Sequence, residues 1–276
     1  MSVAIRAVCA SLLFVSISAS AAVDVPALQA AVDNPARAPE QRARDVYRHP
    51  LQTLEFFGIA PDMNVVEIWP GLTGYTDILA AYLHDRGQYT AAIPAADLPN
   101  ASDYTKKNVA AYEAKLKADP ARLGKVRVSQ FSPPSRTDIA PAGTADAVLT
   151  FRNVHNWITA GAEQQAFDAF FKALKPGGVL GVAEHRAKPG STLAEMKTSG
   201  YVNEDYVIAL ARNAGFELVA RSQINANPKD TKDHPKGVWT LPPSLRLGDQ
   251  DRDKYLAIGE SDRMTLKFVK PENVPR

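Results

Sequence analysis

Apolar residues in this chain fall into short runs that alternate with longer stretches of helical spacing. Asn64-Val65-Val66-Glu67-Ile68 predicts a strand that feeds a glycine-containing turn and then a helix from Thr76 to about Leu83. Gln88–Ile93 reads as a second short strand, and Lys125–Phe131 alternates like a third. Ala145–Phe151 is almost wholly apolar, as expected of a central strand covered on both faces. Val179–Ala183, Phe216–Arg221 and Met264–Val269 supply three more. Helical spacing occupies Gln41–Gly58 (split at Pro50), Lys106–Ala118, Gln164–Leu174 and Asn203–Ala214. Residues 23–40, with three prolines, predict a loose leading segment. Strands and helices in this alternation mean a doubly wound, mostly parallel α/β sheet. We expect a single domain over residues 23–276, broken by one long polar insert at about 225–262. An insert of that length is usually functional or a lid.

The 276 residues suffice for a full core, and 45% hydrophobic with 22% charged residues is ordinary for a soluble globular protein. Net charge is 32 minus 30, or +2, and no basic block is interleaved with aromatics, which argues against a nucleic-acid partner. The first 22 residues read as a cleaved export signal. Arg6 gives a positive start, Ala7–Ser18 is small and apolar around Leu12-Leu13-Phe14-Val15, and Ala19-Ser20-Ala21 suits a signal peptidase. That run is too short to span a membrane. The only cysteine, Cys9, lies inside it, so the mature chain would need no disulfide chemistry. A periplasmic protein is the expectation.

The turn Trp69-Pro70-Gly71-Leu72-Thr73-Gly74-Tyr75 lies between a strand and a helix, at the sheet edge where open α/β folds bind small ligands. Further on come Phe151-Arg152-Asn153-Val154-His155-Asn156-Trp157 and Leu174-Lys175-Pro176-Gly177-Gly178. In this order the three segments give a chain that resembles class I S-adenosylmethionine-dependent methyltransferases from about Gln41 to Lys270. More narrowly it is similar to a predicted exported branch of them, through Asn225–Thr231, Gly237–Pro243 and Gly259–Thr265. The resemblance implies a Rossmann-like, seven-stranded sheet with an antiparallel last strand, S-adenosylmethionine as cofactor and a small-molecule acceptor.

It also implies the site. Glu67 would fix the ammonium of the cofactor's amino-acid tail, with Trp69, Gly71, Gly74 and Tyr75 in the turn around it. Aligned on Glu67, small residues belong at positions 69, 71 and 73, yet only Gly71 complies. A ribose carboxylate belongs about 20 residues past the turn. That count lands on Ala91-Ala92-Ile93-Pro94, leaving Asp97 as the nearest acid. Each buried ribose hydroxyl left unpaired would cost about 1–3 kcal/mol. Phe131 stands where it would stack on adenine, and Phe151 and Asn153 leave the fourth strand at the methyl-transfer position.

His155 and Glu184 are the catalytic candidates. His155 reads equally as a general base or substrate partner and as a packed turn residue. Glu184 and His185 are neighbours on a strand and face opposite ways, and Glu184 is expected to be the one in the cleft. Tyr47-Arg48-His49 either closes on the ligand or forms a solvated helix end. The five histidines show no metal-type spacing. The altered turn keeps open an alternative function: a methyltransferase scaffold that binds another metabolite or a protein partner without catalysis.

Overall fold

The computed structural model describes residues 22–72 and 74–272. The expected export signal, apart from Ala22, and Thr73 of the turn lie outside the described residues. Seven strands form one sheet in the order β3-β2-β1-β4-β5-β7-β6. They are β1 Asn64–Ile68, β2 Gln88–Ile93, β3 Arg127–Gln130, β4 Ala145–Phe151, β5 Leu174–His185, β6 Glu217–Ser222 and β7 Arg263–Val269. β1 to β5 pair in parallel, whereas β7 runs antiparallel between β5 and β6. Strand order reverses direction between β1 and β4, which opens a crevice at their carboxyl ends.

Alternation along the strands splits the core into two layers. Val65, Ala91, Ile93, Ala147 and Leu149 face one side, where they pack on the helices Val25–Val32, Pro50–Phe57 and Thr76–Tyr82. Val66, Ile68, Ala92, Val148, Leu180 and Val182 face the other, against Trp157, Phe167, Phe170 and Ile208 of the helices Val154–Ala160, Glu163–Ala173 and Glu204–Asn213. Glu67 shares its face with Val65, so the pleat aims its carboxylate under the helix Thr76–Tyr82.

Several expectations need correction. The leading segment is not loose. Asp24 caps a helix over Val25–Val32 by accepting from the Ala27 N–H at 3.1 Å, and Leu28, Ala31 and Val32 are buried. Pro26 and Pro39 sit at helix starts, where proline is tolerated, and Pro35 lies in the turn between the two helices. Lys175-Pro176-Gly177-Gly178 does not precede β5 but lies within it, because Leu174 already pairs with Ala145 and the Gly177 N–H donates to the Lys270 carbonyl at 2.8 Å. The segment after β4 is a helix, Val154–Ala160, rather than a turn. The insert between β6 and β7 carries a 3-10 turn, Gly237–Thr240, and a helix, Arg252–Ile258. Among the described residues no helix is long and apolar enough to cross a membrane.

Candidate active site

The crevice at the carboxyl ends of β1, β2 and β4 is a cleft of about 930 Å³, the size of a pocket that takes a drug-sized or cofactor-sized ligand. One of its walls is the turn after β1. Gly74 is obligatory there, because a Cβ would stand 2.0 Å from the Pro70 carbonyl oxygen. Gly71 has a φ of +63° and open space around it. Trp69 also holds a left-handed backbone, with φ +48°, so the structure keeps a glycine-like bend at a position the sequence gives to tryptophan. Such a φ costs a non-glycine residue about 1–2 kcal/mol. The indole offsets this: its Nε1–H donates to the Phe131 carbonyl at 2.8 Å, and its ring meets the edge of Trp157 at 5.5 Å.

Beneath the turn, Glu67 is fully buried and accepts from the Tyr89 hydroxyl at 2.7 Å and the Tyr75 N–H at 3.3 Å. Tyr89 belongs to a buried hydroxyl chain with Thr76 and Tyr112. Burial pushes the Glu67 carboxyl up to about 7, against the pull of those two hydrogen bonds and of Lys115 and Arg48. A ligand ammonium would find a half-ionised acceptor that its own charge drives to the carboxylate. Tyr75 stacks on Phe151 with centroids 3.9 Å apart, and its hydroxyl donates to the Arg48 carbonyl. The Asn153 Nδ2 donates to the Ile68 carbonyl at 2.9 Å and ties the end of β4 to the end of β1.

Beyond Asn153, His155 lines the cleft from the first turn of its helix. Its Nδ1 lies 3.1 Å from Glu184 Oε1. Glu184 is fully buried and also accepts from the backbone N–H groups of Val154, at 2.6 Å, and His185, at 2.8 Å. A carboxylate already taking backbone donors keeps the His155 proton on Nδ1 and leaves Nε2 as the acceptor. His185 faces the cleft, and its Nδ1 meets Ser261 Oγ at 2.5 Å. Its pKa is held well below the usual histidine range by burial, then by His155 and by Arg263, Arg152 and Arg44.

Of the expected site residues, Glu67, Trp69, Gly71, Gly74, Tyr75, Phe151, Asn153 and His155 all line this cleft. Asp97 does not; it pairs with Arg136 at 2.5 Å on the outside. Phe131 is fully buried beneath Trp69. Glu184 is turned inward behind His155, so His185, not Glu184, is the member of that pair that faces the cleft. In the place left by Asp97 stand Asn100, Ser102 and Asn108, polar groups of the kind that hydrogen-bond ribose hydroxyls. Arg152, Arg263, Ser261 and Asn225 also line the cleft and went unassigned in the sequence. Arg152 carried a signal, as a charged residue directly after an apolar strand at the ligand edge.

Histidine spacing in the sequence suggested no metal, yet the fold brings ligand atoms of His155, Glu184 and His185 within 4.8 Å of one another. Both Glu184 oxygens are committed to N–H donors, and three guanidinium groups act on His185. That potential opposes a dication, and the trio works better as a hydrogen-bonded positioning network.

Compared by sequence, the chain matches no known family profile and no curated protein. Its shape does have relatives. A SAM-dependent methyltransferase from Aquifex aeolicus superposes with a TM-score of 0.53 at 14% identity, over 90% of this chain and 98% of that one. Phosphoethanolamine N-methyltransferase 2 of Haemonchus contortus, solved in complex with S-adenosyl-L-methionine, gives 0.51 at 15% identity, over 82% of this chain and 53% of that one. The 4+2 cyclase SpnF gives 0.50 at 17% identity, over 77% and 76%. At such identities the likeness is one of fold: the seven-stranded, Rossmann-like fold of class I methyltransferases.

Proposed function

We propose that this chain is an S-adenosylmethionine-dependent methyltransferase that acts on a small acceptor held beside His155. The observation that carries the proposal is the single cleft onto which Glu67, Gly71, Phe151, Asn153 and His155 all open, at the carboxyl edge of a sheet with this strand order. Its volume suits cofactor and small acceptor together. S-adenosylmethionine, when bound, supplies an electrophilic methyl group. Glu67 would hold the ammonium of its amino-acid tail, and Asn100, Ser102 and Asn108 would take the ribose hydroxyls.

The remaining work is positioning. Glu184 orients His155, whose Nε2 accepts a proton or hydrogen bond from the nucleophilic atom of the acceptor. Trp239 packs edge-on to His155 at 6.0 Å and narrows the approach from the insert side. Holding nucleophile and methyl group in line, away from water, would supply most of the rate.

The export signal belongs to this proposal. With it, the mature chain starts near Ala22 or Val23, which mass spectrometry of exported protein would show. An intact Met1 would sink it. An exported enzyme needs its charged cofactor outside the cytoplasm, since such a molecule does not cross a bilayer freely.

Calorimetric titration of the mature chain with S-adenosylmethionine and S-adenosylhomocysteine tests the function. Micromolar binding of both supports methyl transfer. No binding at millimolar ligand would favour a second reading, a scaffold kept to bind another metabolite or a protein partner. Trp69 in the turn and Asp97 turned away from the cleft are the observations on that side.

A further inference from the structure

Four arginines converge on the side of the cleft away from the β2 loop. Arg44 and Arg48 come from the leading helical segment, Arg152 from the end of β4 and Arg263 from the start of β7. Glu260 is the carboxylate that acts on Arg152 among them, and Arg48 also acts on the carboxyl of Glu67. Glu260 is committed elsewhere. It accepts from the Arg44 Nε–H at 2.5 Å and from Arg263, and although burial raises its pKa, those two partners bring it down to about 2.

Arg152 is different. Its side chain is half-buried in the cleft wall and makes no hydrogen bond or ion pair with any described residue. Its backbone is held at φ +61°, a left-handed conformation that costs arginine about 1–2 kcal/mol. The geometry is pinned on both sides: the Arg152 N–H donates to the Ala183 carbonyl at 2.7 Å, and the neighbouring Asn153 side chain bonds to β1. Strain held in place by its surroundings at a cleft is a pointer to function. Beside Arg152, the Nε–H of Arg263 is buried without an acceptor. Burial and the neighbouring Arg48, Arg263 and Arg44 push the Arg152 pKa down to about 9, against the opposing pull of Glu260.

We propose that Arg152, backed by Arg48 and Arg263, forms an oxyanion subsite beside His155 that takes a carboxylate or phosphate carried by the methyl acceptor. A guanidinium fork matches either group through paired N–H donors. Arg152, Arg263, His155 and His185 line the same cleft, and the His185 ring, on which both arginines act, lies 5.4 Å from that of His155. The word "acceptor" rests on the methyltransferase proposal; the oxyanion subsite itself does not. The one competing source of the same chemistry is the α-carboxylate of the cofactor.

The test uses the mature chain with inorganic phosphate and malonate as ligands, against chloride at constant ionic strength. Thermal melting and calorimetry give the affinity. Phosphate or malonate should raise the melting temperature of the wild type. Arg152→Gln should weaken binding at least tenfold, Arg152→Lys should weaken it less, and Lys197→Gln, an exposed control, should leave it unchanged. Saturating S-adenosylhomocysteine should leave the anion affinity within about threefold. Competition between the two would assign the arginines to the cofactor carboxylate and overturn the acceptor side of the proposal. Anion effects no larger than those of chloride, or equal in the wild type and both Arg152 variants, would overturn the subsite. If S-adenosylhomocysteine fails to bind while anion binding still depends on Arg152, the methyltransferase proposal falls and the subsite stands.

Discussion

Glu67→Gln tests the electrostatics of the turn. A carboxyl whose folded pKa is raised holds its proton more tightly when folded than when unfolded. Its favourable contribution is therefore present at low pH and is lost as pH rises from the unfolded value, 4.5, to the folded value of about 7. That separation, at 1.36 kcal/mol per pH unit, gives a penalty of about 3 kcal/mol once both states are ionised. Between pH 5 and pH 8.5 most of it, about 2–3 kcal/mol, develops, because the unfolded carboxyl is already mostly ionised at pH 5. Glutamine can still accept from the Tyr89 hydroxyl. Any hydrogen-bond cost of its amide is the same at both pH values and cancels in the comparison. Urea unfolding of both proteins at pH 5 and 8.5 should show the variant gaining about 2–3 kcal/mol on the wild type between the two conditions. A difference that stays constant within about 0.5 kcal/mol would mean that Glu67 titrates normally and that the turn holds no half-ionised acceptor.

Glu184→Gln should lower methyl transfer by about a hundredfold or more with little change in S-adenosylhomocysteine affinity, because it releases the His155 tautomer; single-turnover rates and calorimetry separate the two effects. Trp69→Gly should tighten S-adenosylhomocysteine binding by clearing the turn, and should lower stability by about 2 kcal/mol through the lost Phe131 hydrogen bond and Trp157 contact. An unchanged affinity would remove the indole as the obstacle. Asp230 accepts from the Tyr201 hydroxyl, the Lys232 and Asp262 N–H groups, and His234. Asp230→Ala should therefore cost about 2–4 kcal/mol and expose residues 225–262 to proteolysis; a protease map like that of the wild type would show the insert is held by other contacts.

The sheet was legible because burial on both faces writes itself into composition: Ala145–Phe151 and Asn64–Ile68 have no other use for so many apolar side chains. The leading helix was hidden by Pro26, which looks like a breaker until a capping Asp24 shows it to be a starter. The first wall of the site was legible as well, since Glu67, Gly71, Gly74 and His155 sit at fixed offsets from strand ends. What sequence spacing left out was long-range pairing. Glu184 reaches His155 across two strands, Ser261 reaches His185 from 76 residues away, and the arginines come from three separate segments. Asp97 is the nearest acid along the chain, but Arg136, 39 residues on, pairs with it.

The two sides of the cleft are encoded in different stretches of the chain. The turn wall belongs to β1 and its helix, while Val238, Trp239, Pro242 and Arg246 come from the segment between β6 and β7. That segment enters no strand register, and it rests on the helix Leu193–Ser199, where a Cβ on Gly200 would stand 2.9 Å from Val238. Exchanging residues 237–246 would therefore reshape what the cleft admits while every ladder of the sheet stays intact. The fold thus offers a replaceable cassette on one side and a fixed anvil on the other, a natural starting point for retargeting the protein by design.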